Sequence, residues 1–434
     1  MPATVRAFSL ATVVAVLGVL ALLTPNPAAL IASASALAAL AAALAGRSES
    51  YSTTLWSLLV DRSPRHARVP EGTPLRVTVA VRNPTGRGLP LLILRDHTPP
   101  RARAGEPLFQ GSLPGGGVLT GSYEVAPAPG LARVEEATLE ARDPLGLYSE
   151  SRRVRVVTTL QSYPRPYPPA VERAGAGLGL AEALASRRAG AGTEFYSLRD
   201  YVPGDDVRLV AWLASARAGR PVVRENVEER RLDLCIIADL SLEAWAGSPG
   251  ESAADWAMRA SLALVEASAR TAGRVSYSIL LGETALWLEP RRAPEAGESM
   301  AEAFASTSPS HASPRSGLGR VLRAASEEWP SGCVLVALLG PGGLGDAVTG
   351  SPDTWEAISR VAWRMVAVEL LPTGATVLEE WLRRSYTRLE EPYLERLRRA
   401  GAAAFIAPTP RHLAAALTVG VSSAASRLHG PLAR

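Results

Sequence analysis

Lysine is absent from all 434 residues, so each of the 46 basic side chains is an arginine. Chemistry that needs an ε-amine is excluded: neither a phosphate loop ending in Gly-Lys-Ser/Thr nor a Schiff base can be built. Cysteine is limited to Cys235 and Cys333, too few for a disulfide framework or a thiolate cage. Each sits in an apolar run, LDLCIIADL and SGCVLVALL, and reads as a small hydrophobe in a buried strand. The five histidines, His66, His97, His311, His412 and His429, form no H-E-x-x-H pair, and no G-x-S-x-G elbow occurs. Asn and Gln together number five (Asn26, Asn83, Asn226, Gln110, Gln161), a poverty in thermolabile amides that suits a thermophile. The arginine bias itself also fits GC-rich codon usage. A net charge of +4 is too small for a nucleic-acid surface.

What is present falls into four stretches. No charge occurs between Ala7 and Gly46, and Pro25-Asn26-Pro27 divides that run into two pieces close to the ~20 residues of a membrane span. Residues 1–50 are therefore expected to form a transmembrane helical hairpin. Arg6 before it and Arg47, Arg62, Arg65 and Arg68 after it put both ends in the cytoplasm at the cell membrane. A secretory signal cleaved near Ala32-Ser33-Ala34 is the competing reading, although the uncharged run far exceeds a signal core of 7–15 residues. Residues 68–163 alternate at period two in LRVTVAVRN and continue through LPLLILRD, TGSYEVAP, ARVEEATLEA and SRRVRVVTTL. Short strands separated by Gly, Pro and Asn turns predict an immunoglobulin-like β-sandwich.

Residues 164–230 form a connector, with a short helix expected over Leu180–Arg188, and a charged segment. From 231 to 430 strands and helices alternate. Strands are expected at Leu232–Asp239, Val275–Leu281, Ala285–Glu289, Cys333–Leu339, Val361–Leu371 and Ala402–Ile406. Helices are expected at Ala253–Ala272, Glu295–Ala305, Leu318–Trp329, Ala375–Arg399 and Arg411–Ala425. Continuous apolar strands signal a sheet covered on both faces, hence a doubly wound α/β domain. The glycine cluster Gly340–Gly345 reads as a loop.

The charged segment carries a specific pattern: Gly192, Glu194-Phe195, Leu198-Arg199, Tyr201, Gly204-Asp205-Asp206, Arg208, Trp212 and Ser215-Ala216-Arg217. It resembles the family of unknown function fifty-eight, as do Asp143-Pro144-Leu145-Gly146-Leu147-Tyr148 and Tyr163-Pro164. Ala211 stands where that pattern usually has an aspartate, and Leu213 where a basic residue is common. The resemblance implies an α/β domain similar to the von Willebrand factor A fold, and a MoxR-type AAA+ ATPase as partner. Between 194 and 231 seven acids balance seven arginines, so Glu194, Phe195, Arg199, Tyr201, Gly204, Asp205, Asp206, Arg208, Trp212 and Arg217 read either as a docking surface for the ATPase or as an ion-paired clasp that fixes the segment against the α/β domain.

The same resemblance implies a metal-ion-dependent adhesion site, of which Asp239-Leu240-Ser241-Leu242-Glu243 supplies Asp239, Ser241 and Glu243 as candidate ligands for Mg²⁺. Glu243 replaces the usual second serine, and Asp346 stands several residues beyond the expected fourth-strand acid. The leading expectation is a non-enzymatic, membrane-anchored interaction protein, an adaptor or effector of the ATPase in assembly or maturation. The alternative is an extracytoplasmic adhesion or envelope protein with metal-dependent ligand binding.

Overall fold

A computed structural model describes residues 4–23, 27–44, 47–143, 146, 149–166, 185–190, 194–231, 233–269, 273–315, 319, 322–323, 327–349, 358, 362–373 and 377–422. The protein is mixed α/β with several sheets, divided into two compact units, Met1–Ser162 and Tyr163–Arg434.

The first unit opens with helices α1 (Val5–Leu23) and α2 (Pro27–Leu44), which pack on each other, and α3 (Arg47–Ser57). The two-span hairpin expected from the sequence is not supported: no helix among the described residues is long and apolar enough to cross a membrane. The helices have 19 and 18 residues, about 28 and 27 Å at 1.5 Å per residue, at the short end of what crosses a core about 30 Å thick. Ten residues of α2 are alanine, which lowers its apolar content per turn.

Nine strands follow: β1 (Leu59–Ser63), β2 (His66–Pro70), β3 (Leu75–Arg82), β4 (Leu89–Asp96), β5 (Ala102–Arg103), β6 (Leu108–Leu113), β7 (Val118–Pro127), β8 (Gly130–Arg142) and β9 (Ser149–Tyr163). They form a sheet β1-β3-β7-β5 and a sheet β2-β9-β8-β4-β6 around one shared core. The alternation in LRVTVAVR is realised: Val77, Val79 and Val81 are buried while Arg76 and Arg82 face water, as a half-buried strand requires. They meet Leu92 and Leu94 of β4, Ala137 and Leu139 of β8, and Leu55 of α3. The β-structure begins at Leu59, ahead of 68. Arg62, expected as a membrane-flanking charge, is instead interior and 1% exposed. Its guanidinium pairs with Asp96 through two nitrogens and donates to the carbonyls of Val134 (3.2 Å), Glu136 (3.0 Å) and Val156 (2.5 Å). Tyr123 donates to the same carboxylate at 2.6 Å.

The second unit starts with an antiparallel sheet β10-β12-β11, made of β10 (Ala185–Gly190), β11 (Glu194–Asp200) and β12 (Val222–Arg231), with α4 (Trp212–Ala218) between the last two. The helix expected over Leu180–Arg188 is a strand where it is described: residues 185–190 pair with Asn226–Arg231. Long-range pairing overrides the helical bias of an Ala-rich stretch; residues 180–184 lie outside the described residues.

The larger sheet contains β13 (Leu234–Asp239), β14 (Val275–Leu280), β15 (Ala285–Arg291), β16 (Cys333–Leu339), β17 (Ala362–Leu370) and β18 (Ala403–Ala407). Helices α5 (Ala253–Ser268), α6 (Ala293–Ala305), α7 (Gly343–Thr349), α8 (Val377–Arg399) and α9 (Pro410–Ser422) accompany it. The order is β15-β14-β13-β16-β17-β18, parallel except for β15. β13 is buried along its whole length: Leu234, Ile236 and Ala238 enter one core with α5, α6 and α9, while Cys235 and Ile237 enter another with α7 and α8. This explains the unbroken apolar strands. α5 starts at a capping box in which Ser252 and Asp255 satisfy each other's backbone amides. Part of the expected Leu318–Trp329 helix lies outside the described residues. The Gly340–Gly345 cluster is not simply a loop, since α7 begins within it.

Candidate functional site

The chain leaves β13 toward β14 on one side and toward β16 on the other, so the crevice at their carboxyl ends is a topological switch point, where doubly wound sheets bind ligands. Asp239 closes β13. Its Oδ1 accepts the Ser241 amide at 3.0 Å and its Oδ2 the Gly340 amide at 2.8 Å, tying the turn after β13 to the end of β16. A side chain at Gly340 would bring its Cβ 2.7 Å from that of Ala244, so the close approach of the two loops depends on glycine.

Arg315 fills the space between them. Its Nη2 lies 2.7 Å from Asp239 Oδ2 and donates to Ser241 Oγ at 3.1 Å; its Nη1 donates to the Pro341 carbonyl at 2.8 Å and to Asp346 Oδ2 at 3.3 Å. Glu243 accepts the Arg315 backbone amide through both carboxylate oxygens at 3.0 Å. The Arg315 side chain is 3% exposed. Burial acts against its charge, but Asp239, Asp346 and Glu243 outweigh that and raise its pKa above the ordinary value.

The expectation of a metal on Asp239, Ser241 and Glu243 is therefore corrected. Their oxygens are spent on a guanidinium and on backbone amides, and Glu243 turns to the main chain of Arg315. Among the described residues no group of three His, Cys, Asp or Glu side chains could hold a metal ion.

A second cluster lies beside this one. The amides of Gly342 (3.3 Å) and Leu344 (2.9 Å), at the start of α7, donate to the buried carboxylate of Glu369 on β17. Tyr386 of α8 donates to Glu369 Oε1 at 2.5 Å, and its hydroxyl accepts from the Gly342 amide. An anion cradle at a strand-to-helix turn is thus filled by the protein's own acid. Burial pushes Glu369 up to about 7, against the hydrogen bonds from Tyr386, Leu344 and Gly342, which lower it. Glu390, one turn beyond Tyr386, is also raised by burial, and its Oε2 has no hydrogen-bond partner.

The signature residues form a separate feature. Glu194 and Phe195 lie on β11 opposite Val227 and Asn226 of β12. Arg199, next to last in β11, grips Asp205 through two bonds of 2.6 Å, while the Val202 amide donates to the same acid at 2.8 Å. The Arg199 hydrogen bond and that amide hold Asp205 down at about 2. Gly204, at φ +111°, makes the turn that brings Asp205 back to Arg199. Tyr201 donates its amide to Pro221, and Asp206 caps the short 3-10 helix Val207–Leu209 through the Arg208 amide. Trp212 and Arg217 lie at the two ends of α4. Ala211, in place of the usual aspartate, leaves α4 without a side-chain cap. Arg199 and Asp205 pair with each other inside the signature segment, six residues apart, so this ion pair closes the segment's own turn. The turn and the start of α4 present Val202, Val207, Trp212 (69% exposed) and Leu213 (72%), with Leu198 and Leu209 beside them in sequence and also exposed.

Residues 197–331 match the family described as protein of unknown function DUF58. The matched stretch takes in both the Arg199–Asp205 pair and Arg315; Gly340, Asp346, Glu369 and Tyr386 lie beyond it. Uncharacterized proteins of Mycobacterium bovis and Mycobacterium tuberculosis are 40% identical over 52 residues. The match spans 12% of this chain and 16% of the length of those relatives. Among solved structures, AvmM, which catalyses macrocyclization in alchivemycin A biosynthesis, aligns at TM-score 0.16 and 10% identity over 24% of this chain and 88% of that one. A chain from a structure of T cell activation by toxic shock syndrome toxin-1 aligns at TM-score 0.15 and 12% identity over 24% of this chain and 98% of its own. Neither likeness carries weight for the fold of the whole.

Sequence reasoning missed Arg315, Glu369, Tyr386 and Glu390. Glu369 had a legible signal, an acid inside the apolar run VAVELL, since a buried carboxylate needs partners. Arg315, in the loop SPRSG, had none.

Proposed function

We propose that this chain is a non-enzymatic protein-interaction module whose docking face is the exposed apolar loop between Leu198 and Leu213. One observation carries the reading: Val202, Val207, Trp212 and Leu213, in the stretch that follows the Arg199–Asp205 ion pair, are large apolar side chains exposed to solvent. Ordered exposed patches of this kind mark interaction sites, and tryptophan is a frequent binding anchor. The exposed Arg208 and Arg217 beside this face favour a partner whose apolar surface is flanked by carboxylates. By its resemblance, a MoxR-type AAA+ ATPase is the partner, and the chain is its adaptor or effector.

Attachment to a lipid surface completes the reading. Val13, Val16, Val19 and Leu20 of α1, with Leu30 and Ile31 of α2, are exposed, apolar surface of the kind that marks a membrane or protein interaction site. The metal-dependent adhesion alternative has no support in the donor set around Asp239.

Binding of the purified full chain to a purified MoxR-type ATPase tests the docking reading. Trp212→Asp with Leu213→Asp is expected to weaken binding at least tenfold, the loss of about 1.4 kcal/mol or more that a buried anchor supplies, while circular dichroism stays unchanged. Equal binding by the variant sinks it.

A further inference from the structure

The oxygens at the carboxyl edge of the large sheet converge as they would on a hard cation. Asp239 Oδ2, Ser241 Oγ, the Pro341 carbonyl and Asp346 Oδ2 come from two chain segments and meet the two terminal nitrogens of Arg315, on a third, within 2.7 to 3.3 Å. Carboxylate, hydroxyl and carbonyl oxygens are the donors that Mg²⁺ and Mn²⁺ take. The crevice meets only the end of the guanidinium: Arg315 Nε is buried without a hydrogen-bond partner. The segment that carries Arg315 is fixed independently of the side chain, through Glu243 and the backbone amide. Asp346, about half exposed, has room to move closer.

We propose that Arg315 is a built-in cation occupying the position of a divalent metal, so that the native chain binds none there and loss of the guanidinium opens a Mn²⁺ or Mg²⁺ site on Asp239, Ser241, Asp346 and the Pro341 carbonyl. An Arg315 side chain cannot leave by dilution or chelation, so this edge is held together regardless of free metal. The inference is independent of the docking reading, because the apolar loop contributes no residue to the crevice.

The test uses the full chain, its Arg315→Ser variant, and Arg315→Ser combined with Asp239→Asn. Free Mn²⁺ is followed by electron paramagnetic resonance, and thermal unfolding is recorded with Mn²⁺ or EDTA. The native chain should bind no Mn²⁺ and unfold at one temperature in either medium. Arg315→Ser should bind one Mn²⁺ with a dissociation constant below about 1 mM, its unfolding temperature should rise by several degrees in Mn²⁺ and fall back with EDTA, and the double variant should lose both responses. If Arg315→Ser folds only when Mn²⁺ is present, that supports the proposal equally. Mn²⁺ binding by the native chain that depends on Asp239 overturns it. So does a folded Arg315→Ser chain that ignores Mn²⁺, or one that Mn²⁺ fails to restore.

Discussion

Arg62 and Glu369 show what a single charge costs and contributes inside an apolar layer. Arg62 and Asp96 are both fully buried and satisfied by each other, by three carbonyls and by Tyr123. Removing one partner of such a pair strands the other, so Arg62→Ala should lower the stability of the β-sandwich by about 3 to 5 kcal/mol, measured by urea unfolding of the full chain. A change below about 1 kcal/mol, the worth of an exposed pair, would contradict the buried reading. Glu369 acts through pH. Its pKa rises from the ordinary 4.5 to about 7 on folding, so the folded chain binds this proton more tightly than the unfolded chain does. Its contribution is full below pH 4.5 and is lost as pH rises through about 7, a change of about 3 kcal/mol. Tyr386 and Glu390 of α8 and the Gly342 and Leu344 amides face it. In Glu369→Gln that part of the pH dependence should vanish from equilibrium unfolding curves taken between pH 4.5 and 8. An unchanged pH profile would show that Glu369 titrates at its ordinary value.

Elements were legible in the sequence where one period dominated. The strand Cys333–Leu339 coincides with β16 residue for residue, and the alternation of LRVTVAVR is that of β3, because burial on two faces or on one writes itself into the pattern. Residues 185–190 were not legible, since their strand exists only through β12, a partner some forty positions away in the chain. The N-terminal helices misled for another reason: an uncharged run reports apolarity, whereas a span also needs length and hydropathy. They remain an apolar pair with exposed valines, so flotation of the full chain with anionic vesicles should be reduced severalfold by Val16→Asp with Val19→Asp. Flotation equal to that of the native chain would remove the lipid surface from the account.

For the molecule as a whole, the sequence showed the signature but not how its parts would be used. Asp205 reads as fit for docking or for a clasp onto the α/β domain, and its two bonds go instead to Arg199 of its own segment. Asp239 and Ser241 stood out as candidate metal ligands, but the cation beside them is an arginine from a loop 74 residues beyond Ser241, a distance that local spacing does not encode. Arg315 and Glu369 together fill the cation and anion positions of the crevice with the protein's own groups. The outward face at Trp212 and Leu213 is therefore the surface on which the proposed function rests. The most direct measurement is titration of a fluorescently labelled full chain with a purified MoxR-type AAA+ ATPase, followed by anisotropy. The account expects saturable binding that weakens at least tenfold in Trp212→Asp with Leu213→Asp, the step of about 1.4 kcal/mol or more set by a lost anchor. Saturable binding of equal strength by the native chain and the variant, or no binding by either, would contradict it.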